Sequence, residues 1–251
     1  MRNLLVAGNW KMNGDLAMSS TLIKELVENV ENLDEVTLMV CPPFPLLGSA
    51  SQQIKGTPIL LGAQNLSEFS NGAYTGETSA SMLKDIGCQY VIIGHSERRV
   101  MMQENNKMVT AKFLTAVDND LIPIICVGET REEKEQGLTR QIIHEQLNSI
   151  INSDNIELLD KSVIAYEPVW AIGSGLSASP NEAQDVHSFI RSIISSNSEK
   201  IAGKIQIIYG GSVTTKNASE LFSMPDIDGG LIGGASLDAS EFLSIARATK
   251  K

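Results

Sequence analysis

Eight short apolar runs recur along the chain, and each is followed by a loop and by a longer stretch with helical spacing. The runs are rich in Val, Ile and Leu, which favours buried β-strands. They are Leu4 to Ala7, Val36 to Cys41, Ile59 to Gly62, Tyr90 to Ile93, Leu121 to Val127, Val163 to Tyr166, Ile205 to Tyr209 and Gly230 to Ile232. The pattern predicts eight alternating strand and helix units.

Three polar sequences mark the starts of helices. Ser179 precedes Pro180, which suits the first helical position, and is followed by a glutamate at the third. Thr130 and Asp238 are each followed by a glutamate at the same spacing. All three are typical of the capping box, in which a side chain at each end of the first turn bonds the backbone of the other.

Strands that are apolar throughout and alternate with helices predict a parallel sheet with helices on its faces. Eight such units in 251 residues fit a closed (β/α)8 barrel. A doubly wound open sheet is the alternative, and the spacing does not distinguish the two. Because no linker-like stretch divides the chain, we expect a single domain over residues 1–251.

Composition and the distribution of apolar residues disfavour several classes of partner and of cellular location. The chain has 20 basic and 30 acidic residues, a net charge of −10, which disfavours nucleic acid and anionic membrane surfaces. Cys41, Cys88 and Cys126 lie in or beside apolar stretches without paired spacing, as expected of packed thiols in the cytoplasm. The apolar run at Leu4 to Ala7 is too short for a secretory signal, and no later run predicts a membrane span.

One segment combines a carboxylate with the end of a strand. Glu167 follows the sixth predicted strand, Pro168 prevents simple continuation of that strand, and Gly173 and Gly175 give the next loop backbone freedom. A general base under a movable lid suits this position. A solvated glutamate at the edge of a loop is the alternative.

Polar residues follow several other predicted strands. Because the carboxyl ends of parallel strands open on one rim, we expect these residues to be neighbours of Glu167. They are Asn9 and Lys11 after the first strand, His95, Ser96 and Glu97 after the fourth, Gly210, Gly211 and Ser212 after the seventh, and Gly233 and Gly234 after the eighth. Taken singly, the lysine is explained equally well as a solvated charge and the histidine as a helix cap.

The glycine turns after the seventh and eighth strands predict a phosphate site, because backbone N–H groups at helix starts bind anions. Gly173, Gly175 and Ala178 also match a dinucleotide-binding spacing, but they begin several residues after their strand, which disfavours that function. The histidines His95, His144 and His187 are isolated, so no metal site is predicted.

A carboxylate base, an imidazole, an ammonium and a phosphate cradle suit proton abstraction beside the carbonyl of a small phosphorylated compound. This reaction requires no metal and no cofactor. A carboxylate of ordinary pKa, about 4.3, is a weak base for a carbon acid, so the enediolate oxygen must be stabilised by preorganised donors. Lys11 and His95 are the available donors.

Five motifs, in order and over essentially the whole chain, resemble those of the triosephosphate isomerase family. The resemblance implies a single-domain TIM barrel that interconverts dihydroxyacetone phosphate and D-glyceraldehyde 3-phosphate through an enediolate, in glycolysis and gluconeogenesis. The motifs are Asn9 to Asn13, Gly94 to Arg99, Ala165 to Gly173, Tyr209 to Val213 and Gly233 to Leu237.

The resemblance also implies roles for particular residues. Glu167 would move the proton, and neutral His95 would polarise the carbonyl. Lys11 would offset the charge of the substrate and the enediolate, and Asn9 would help to position the substrate. These roles are those known for the family and do not follow from spacing. Glu97 would pair with Lys11 beside Ser96. The phosphate would bind the backbone of Gly173, Ser212, Gly233 and Gly234. The implied lid is Pro168, Val169, Trp170, Ala171, Ile172, Gly173, Ser174, Gly175, Leu176, Ser177 and Ala178.

The loop from Glu68 to Glu77 resembles one that reaches into a partner subunit in this family. The resemblance therefore implies a homodimer with Thr75 near Asn9 of the partner subunit, whereas an ordinary surface loop is the alternative. The chain departs from the family near the far end of the lid, where many relatives have a lysine and this chain has Gly175, Leu176 and Ser177.

Two further functions stay open. One is an aldolase in which Lys11 forms a Schiff base with the substrate, and the other is a non-enzymatic phosphate-binding module.

Overall fold

Eight parallel strands close into a barrel in the computed structural model, where each strand pairs with the next and β8 returns to β1. The structure describes residues 2–30, 33, 36–151, 156–171 and 177–248. The strands are β1 (Leu4–Asn9), β2 (Val36–Cys41), β3 (Leu60–Ala63), β4 (Tyr90–Ile93), β5 (Ile122–Val127), β6 (Val163–Tyr166), β7 (Gln206–Tyr209) and β8 (Gly229–Ile232). All eight predicted strands are confirmed, and the open-sheet alternative is wrong because the sheet closes.

Helices follow the strands and cover the outside of the barrel. They are α1 (Leu16–Asn29), α2 (Phe44–Ile54), α3 (Ala80–Ile86), α4 (Ser96–Met101), α5 (Asn106–Asp118), α6 (Arg131–Glu135), α7 (Thr139–Ile150), α8 (Pro180–Ser195), α9 (Glu199–Ala202), α10 (Ala218–Phe222) and α11 (Ala239–Ala246). Short 3₁₀ helices span Ile156–Lys161, Val169–Ala171 and Gly234–Leu237. Among the described residues, none of these helices has the length and apolar character needed to cross a bilayer.

The capping boxes predicted at Thr130 and Ser179 are confirmed, with both reciprocal hydrogen bonds present. At Asp238 only the first is found among the described residues, because its carboxylate accepts the Glu241 N–H at 2.8 Å. Each cap satisfies backbone donors that the first helical turn leaves free. Helices α6, α8 and α11 therefore start where the sequence indicates.

Both faces of each strand are buried, because one faces the helices and the other faces the barrel interior. On β6, Ile164 and Tyr166 pack with the helix-facing core. Val163 and Ala165 belong to the interior core instead. Since side chains alternate along a strand, the next residue on the interior side is Glu167. The phase of the strand thus directs this carboxylate toward the mouth of the barrel.

The barrel interior is a packed core and not a channel. Its buried members come from most of the strands and, apart from Met39, are small or branched, as is usual in such barrels. They are Leu5, Ala7, Met39, Cys41, Ile92, Ile124, Cys126, Val163, Ala165, Ile208 and Leu231. This layer forms the floor beneath the groups at the mouth.

A buried carboxylate fastens the barrel at the amino ends of its strands. Asp228 precedes β8 and is fully buried. It accepts hydrogen bonds from Arg2 Nε at 2.8 Å, Arg191 Nη2 at 2.8 Å and the Ile207 N–H at 3.0 Å. Because the charge is paired on two sides, the cost of burying it is offset. The network joins the residues that precede β1 and β8 to β7 and α8, on the face opposite the mouth.

The closure of the barrel requires glycine at the start of β8. Gly229 pairs with Leu5 of β1 and has a φ of +128°. A Cβ atom there would lie 2.0 Å from the Leu5 carbonyl oxygen. Only a residue without a side chain allows the first and last strands to approach this closely.

We expect Gly229→Ala to lower the free energy of unfolding by about 3 kcal/mol or more, since left-handed backbone strain adds to a clash with backbone. Gly56→Ala is the control, because Gly56 also has a positive φ but no atom within 4 Å of its missing Cβ. Urea unfolding at a fixed protein concentration measures both. Equal losses in the two variants would contradict the role of close strand approach.

Candidate active site

A cavity of about 430 Å³ opens at the carboxyl ends of the strands. It brings together Lys11, His95 and Glu167, which come from the ends of β1, β4 and β6. Its full lining is Asn9, Lys11, Asn13, His95, Glu167, Gly210, Gly211, Ser212, Val213, Thr214, Leu231, Gly233, Gly234, Ala235 and Glu241. The lining includes Ser212, Gly233 and Gly234, three of the four residues expected to bind phosphate; the fourth, Gly173, lies outside the described residues.

Glu167 is only 2% exposed, so its interpretation as a solvated loop-edge glutamate is wrong. Its backbone N–H extends the barrel ladder by donating to the Val127 carbonyl at 2.7 Å. One carboxylate oxygen, Oε2, accepts the Ser96 N–H at 2.8 Å. The other, Oε1, lies 3.0 Å from His95 Nε2 in a contact that is not aligned as a hydrogen bond. Both oxygens therefore face the start of α4.

The pKa of Glu167 reflects two opposing influences. Burial alone raises it, whereas the His95 ring and the Ser96 N–H lower it, and the net effect holds it below its ordinary value. Glu167 is thus a carboxylate at neutral pH. It is available as a base, but a weak one.

His95 turns into the cavity from the end of β4. Gly94 has a φ of +63°, a left-handed conformation that glycine adopts without strain. His95 then caps α4, because its Nδ1 accepts the Glu97 N–H at 3.2 Å. Since Nδ1 is an acceptor, the proton of the neutral ring is assigned to Nε2, which lies 3.0 Å from Glu167 Oε1. The residue is therefore a helix cap and also faces the cavity.

Burial lowers the pKa of His95, but the Glu167 carboxylate raises it, and the net pKa is above the ordinary value. This increase depends mainly on the contact with Glu167, and the Glu97 carboxylate makes a smaller contribution. Protonating Nδ1 would also break its hydrogen bond with Glu97 and place a positive charge at the start of a helix, which is unfavourable. The neutral ring is consequently favoured once the carboxylate moves away.

Lys11 is held in an uncommon backbone conformation, with a φ of +53°. Its N–H donates to Asn9 Oδ1 at 3.0 Å. Gln64 Nε2 donates to the Lys11 carbonyl at 2.9 Å and to the Cys41 carbonyl at 2.8 Å. The ammonium forms an ion pair with Glu97. Sequence reasoning missed Gln64, although its place directly after β3 obeys the rule that identified the other rim residues.

The phosphate side of the cavity is built from backbone. The N–H groups of Ser212, Gly233 and Gly234 donate to no acceptor in another described residue. These donors are therefore available to an anion. A Cβ at Gly210 would come within 2.8 Å of Glu167 Cγ. Glycine at that position therefore leaves room for the carboxylate to move.

The expected lid is described only at its two ends. Ile172, Gly173, Ser174, Gly175 and Leu176 lie outside the described residues, and so does the dinucleotide-like spacing that includes two of them. The first end, Val169–Ala171, forms a 3₁₀ turn. At the second end, the Ala178 N–H donates to Tyr209 Oη at 3.1 Å.

A buried glutamate holds the first end of the lid. Glu129 accepts the Trp170 Nε1–H at 2.9 Å and the Tyr166 hydroxyl at 3.2 Å. Lys134 Nζ lies 3.3 Å from the centre of the Trp170 indole ring, a cation–π contact. No local pattern in the sequence marks Glu129, although it lies only two residues after the end of β5.

The loop that contains Thr75 is exposed and carries two aromatic rings. Phe69 and Tyr74 stack with their centroids 4.1 Å apart, and both remain partly exposed. Other large apolar side chains are exposed as well: Met12, Leu16, Phe44, Met82, Val100, Met101 and Met102. Within the described ranges, no group of three or more His, Cys, Asp or Glu residues is placed to hold a metal ion.

Comparison with known proteins gives a consistent family. A family model described as triosephosphate isomerase matches residues 4–249. A relative from Nitrosomonas europaea, named triosephosphate isomerase, is 53% identical over 98% of this chain and 97% of its own length. Relatives with the same name from Nitrosomonas eutropha and Thiobacillus denitrificans are 52% and 49% identical, covering 98% and 100% of this chain and 97% and 100% of their own lengths.

Removing the imidazole should raise the pKa of Glu167. In His95→Gln, burial of the carboxylate is no longer opposed by the ring, so the carboxyl should keep its proton to higher pH than in the parent protein. Carbon-13 NMR titration of labelled glutamate, with the Glu167 signal assigned from Glu167→Gln, measures the change.

The control for this titration is His144→Gln, which replaces an exposed histidine and should leave the Glu167 signal unchanged. An unchanged or lower pKa in His95→Gln would show that the His95 contact does not stabilise the carboxylate.

Proposed function

The chain belongs to the triosephosphate isomerase family, and we propose that Glu167, His95 and Lys11 carry the chemistry of that family. The protein interconverts dihydroxyacetone phosphate and D-glyceraldehyde 3-phosphate through an enediolate, a reaction of glycolysis and gluconeogenesis. The aldolase and the non-enzymatic binding module are therefore wrong. The assignment of roles rests on one observation: a buried carboxylate lies 3.0 Å from the His95 ring in the cavity.

Glu167 is the base. As a carboxylate it removes the proton from the substrate carbon next to the carbonyl and returns it to the neighbouring carbon. In the structure, however, its oxygens face Ser96 and His95. The side chain must leave these contacts to reach the carbon. The space that Gly210 leaves beside its Cγ supports such a movement.

His95 and Lys11 stabilise the oxygen that becomes negative. The His95 Nε2–H donates to the carbonyl and moves protons between the two substrate oxygens, while the Lys11 ammonium offsets the charge of the enediolate. The ring works in its neutral form, because the Glu167 contact that favours its protonation is lost when the carboxylate moves onto the substrate. Asn9 supports the lysine by fixing its backbone and helps to position the substrate from the lining of the cavity.

The phosphate binds the backbone N–H groups of Ser212, Gly233 and Gly234, joined by that of Gly173 when the lid closes. Lid closure over residues 168–178 excludes water from the enediolate. It also prevents the intermediate from expelling its phosphate, a competing reaction that wastes substrate. Without closure, the same carboxylate would therefore make the wrong product.

We further propose that residues 1–251 form one isomerase domain, since strands from β1 to β8 share the same barrel, and that two copies associate as a homodimer. The exposed apolar residues near the mouth, and the Phe69 and Tyr74 stack beside Thr75, support an interface on this side. The buried free cysteines support the cytoplasm as the compartment.

Replacing Glu167 should remove isomerisation with little effect on substrate binding. In Glu167→Gln the amide cannot accept the substrate proton, so we expect kcat to fall by about 100-fold or more, with KM changed far less. A coupled triose phosphate assay measures both constants. Glu28→Gln, an exposed change on α1, is the matched control and should keep full activity. Comparable activity in the two variants would refute the assignment of the base.

The dimer proposal predicts that Thr75→Arg separates the subunits, because a long charged side chain would have to be buried without a partner. Analytical ultracentrifugation should show a monomer, and activity should fall because the loop of the partner subunit no longer supports Lys11 and His95. Thr21→Arg, on the exposed face of α1, should stay dimeric. If the parent protein is monomeric and fully active, the proposed interface is incorrect.

A further inference from the structure

A buried histidine that the mechanism does not use lies between the two tyrosines that hold the ends of the lid. His187, on α8, has no exposed surface. Its ring centroid is 5.8 Å from that of Tyr166 in an edge-on contact, and 6.3 Å from that of Tyr209. Tyr166 binds Glu129, which holds Trp170 at the first end of the lid. Tyr209 receives the N–H of Ala178 at the second end.

The hydrogen-bond partner of His187 assigns its tautomer. Nδ1 lies 3.1 Å from the carbonyl oxygen of Asp226, and a carbonyl only accepts, so Nδ1 carries the proton. Nε2 is then a bare acceptor. It is buried and has no hydrogen-bond partner within the described part of the chain. Burial lowers the pKa of the ring to about 4, so His187 is neutral near pH 7.

The neighbouring Tyr209 has a hydroxyl group with a hydrogen that is also without a partner among the described residues. The oxygen of this hydroxyl accepts the Ala178 N–H. Tyr166, the other hydroxyl in the cluster, already donates to Glu129. A buried acceptor without a donor and a hydroxyl hydrogen without an acceptor thus occur in neighbouring rings, and leaving both unpaired is costly.

We propose that His187 is a positioning residue for the lid: its Nε2 accepts a hydrogen bond from one buried water, which in turn accepts the Tyr209 hydroxyl hydrogen. With its hydrogen turned toward this water, the Tyr209 oxygen presents its lone pairs to the Ala178 N–H and binds it more strongly. Asp226 fixes the ring through Nδ1, so α8 sets the orientation of the tyrosine. This role rests on the proposed function of the lid in keeping the enediolate from losing its phosphate.

Replacement by phenylalanine tests the role, because His187→Phe keeps a ring but removes the acceptor. We expect kcat/KM to fall by about three- to tenfold, the rate equivalent of one hydrogen bond. We also expect a larger share of substrate to be lost as inorganic phosphate. His187→Gln, which retains a donor and an acceptor, should recover part of both. Phosphate release equal to that of the parent enzyme would overturn the proposal even if stability falls.

A double-mutant cycle tests whether His187 acts through the hydroxyl. In a Tyr209→Phe background, His187→Phe should change phosphate release by less than about twofold, because the bridge through the shared water is already gone. Additive effects would mean that the two residues act separately and would overturn the proposal.

Nitrogen-15 NMR of labelled histidine gives a test that does not depend on the folding of His187 variants. In the parent protein near pH 7, the nitrogen-15 chemical shift of His187 Nε2 should be that of an unprotonated acceptor. The same shift should change in Tyr209→Phe. An Nε2–H, or an unchanged signal, would overturn the proposal. Parent enzyme without isomerase activity would instead disprove the proposed function. Normal isomerase activity together with a negative NMR result would disprove only the role of His187.

Discussion

The alternation of side chains along strands that have no free edge is the constraint on which the site depends. In a closed ring every strand has two neighbours, so its phase is fixed by pairing on both sides. Ile164 and Tyr166 face the helices while Val163 and Ala165 face inward, which directs Glu167 into the mouth. The packing of the core and the position of Glu167 therefore both follow from the two-residue alternation of side chains along β6. A shift of the strand by one residue would destroy both.

The cavity provides a locally favourable environment for anions, although the protein as a whole is strongly acidic. The net charge of −10 repels phosphate at long range, but this repulsion is screened by salt over about 10 Å. At the proposed phosphate site, the Lys11 ammonium and the backbone N–H groups that have no partner among the described residues would act at contact distance. These fixed donors need no rearrangement when charge develops on the substrate. Binding is thus decided by the lining and not by the overall charge.

Sequence was sufficient for the strands, the order of the elements and the rim residues, because each depends on local periodicity or on the position where a strand ends. It did not reveal Gln64, which holds the Lys11 backbone, or Glu129, which holds Trp170, although both follow a strand. Their partners are distant in the chain, and no local pattern encodes a contact of this kind. Nor could sequence show that both oxygens of Glu167 face α4, since that depends on where the helix is packed.

The pairing of Leu5 with Gly229 links segments that are almost the whole chain apart. During synthesis, β1 leaves the ribosome first but gains its second neighbour only after β8 has emerged. Until then its outer edge is open to other chains. The segment that carries Asn9 and Lys11 is therefore made first and completed last. A nascent chain interrupted before β8 would lack one wall of its active site and would present an unpaired edge that invites aggregation.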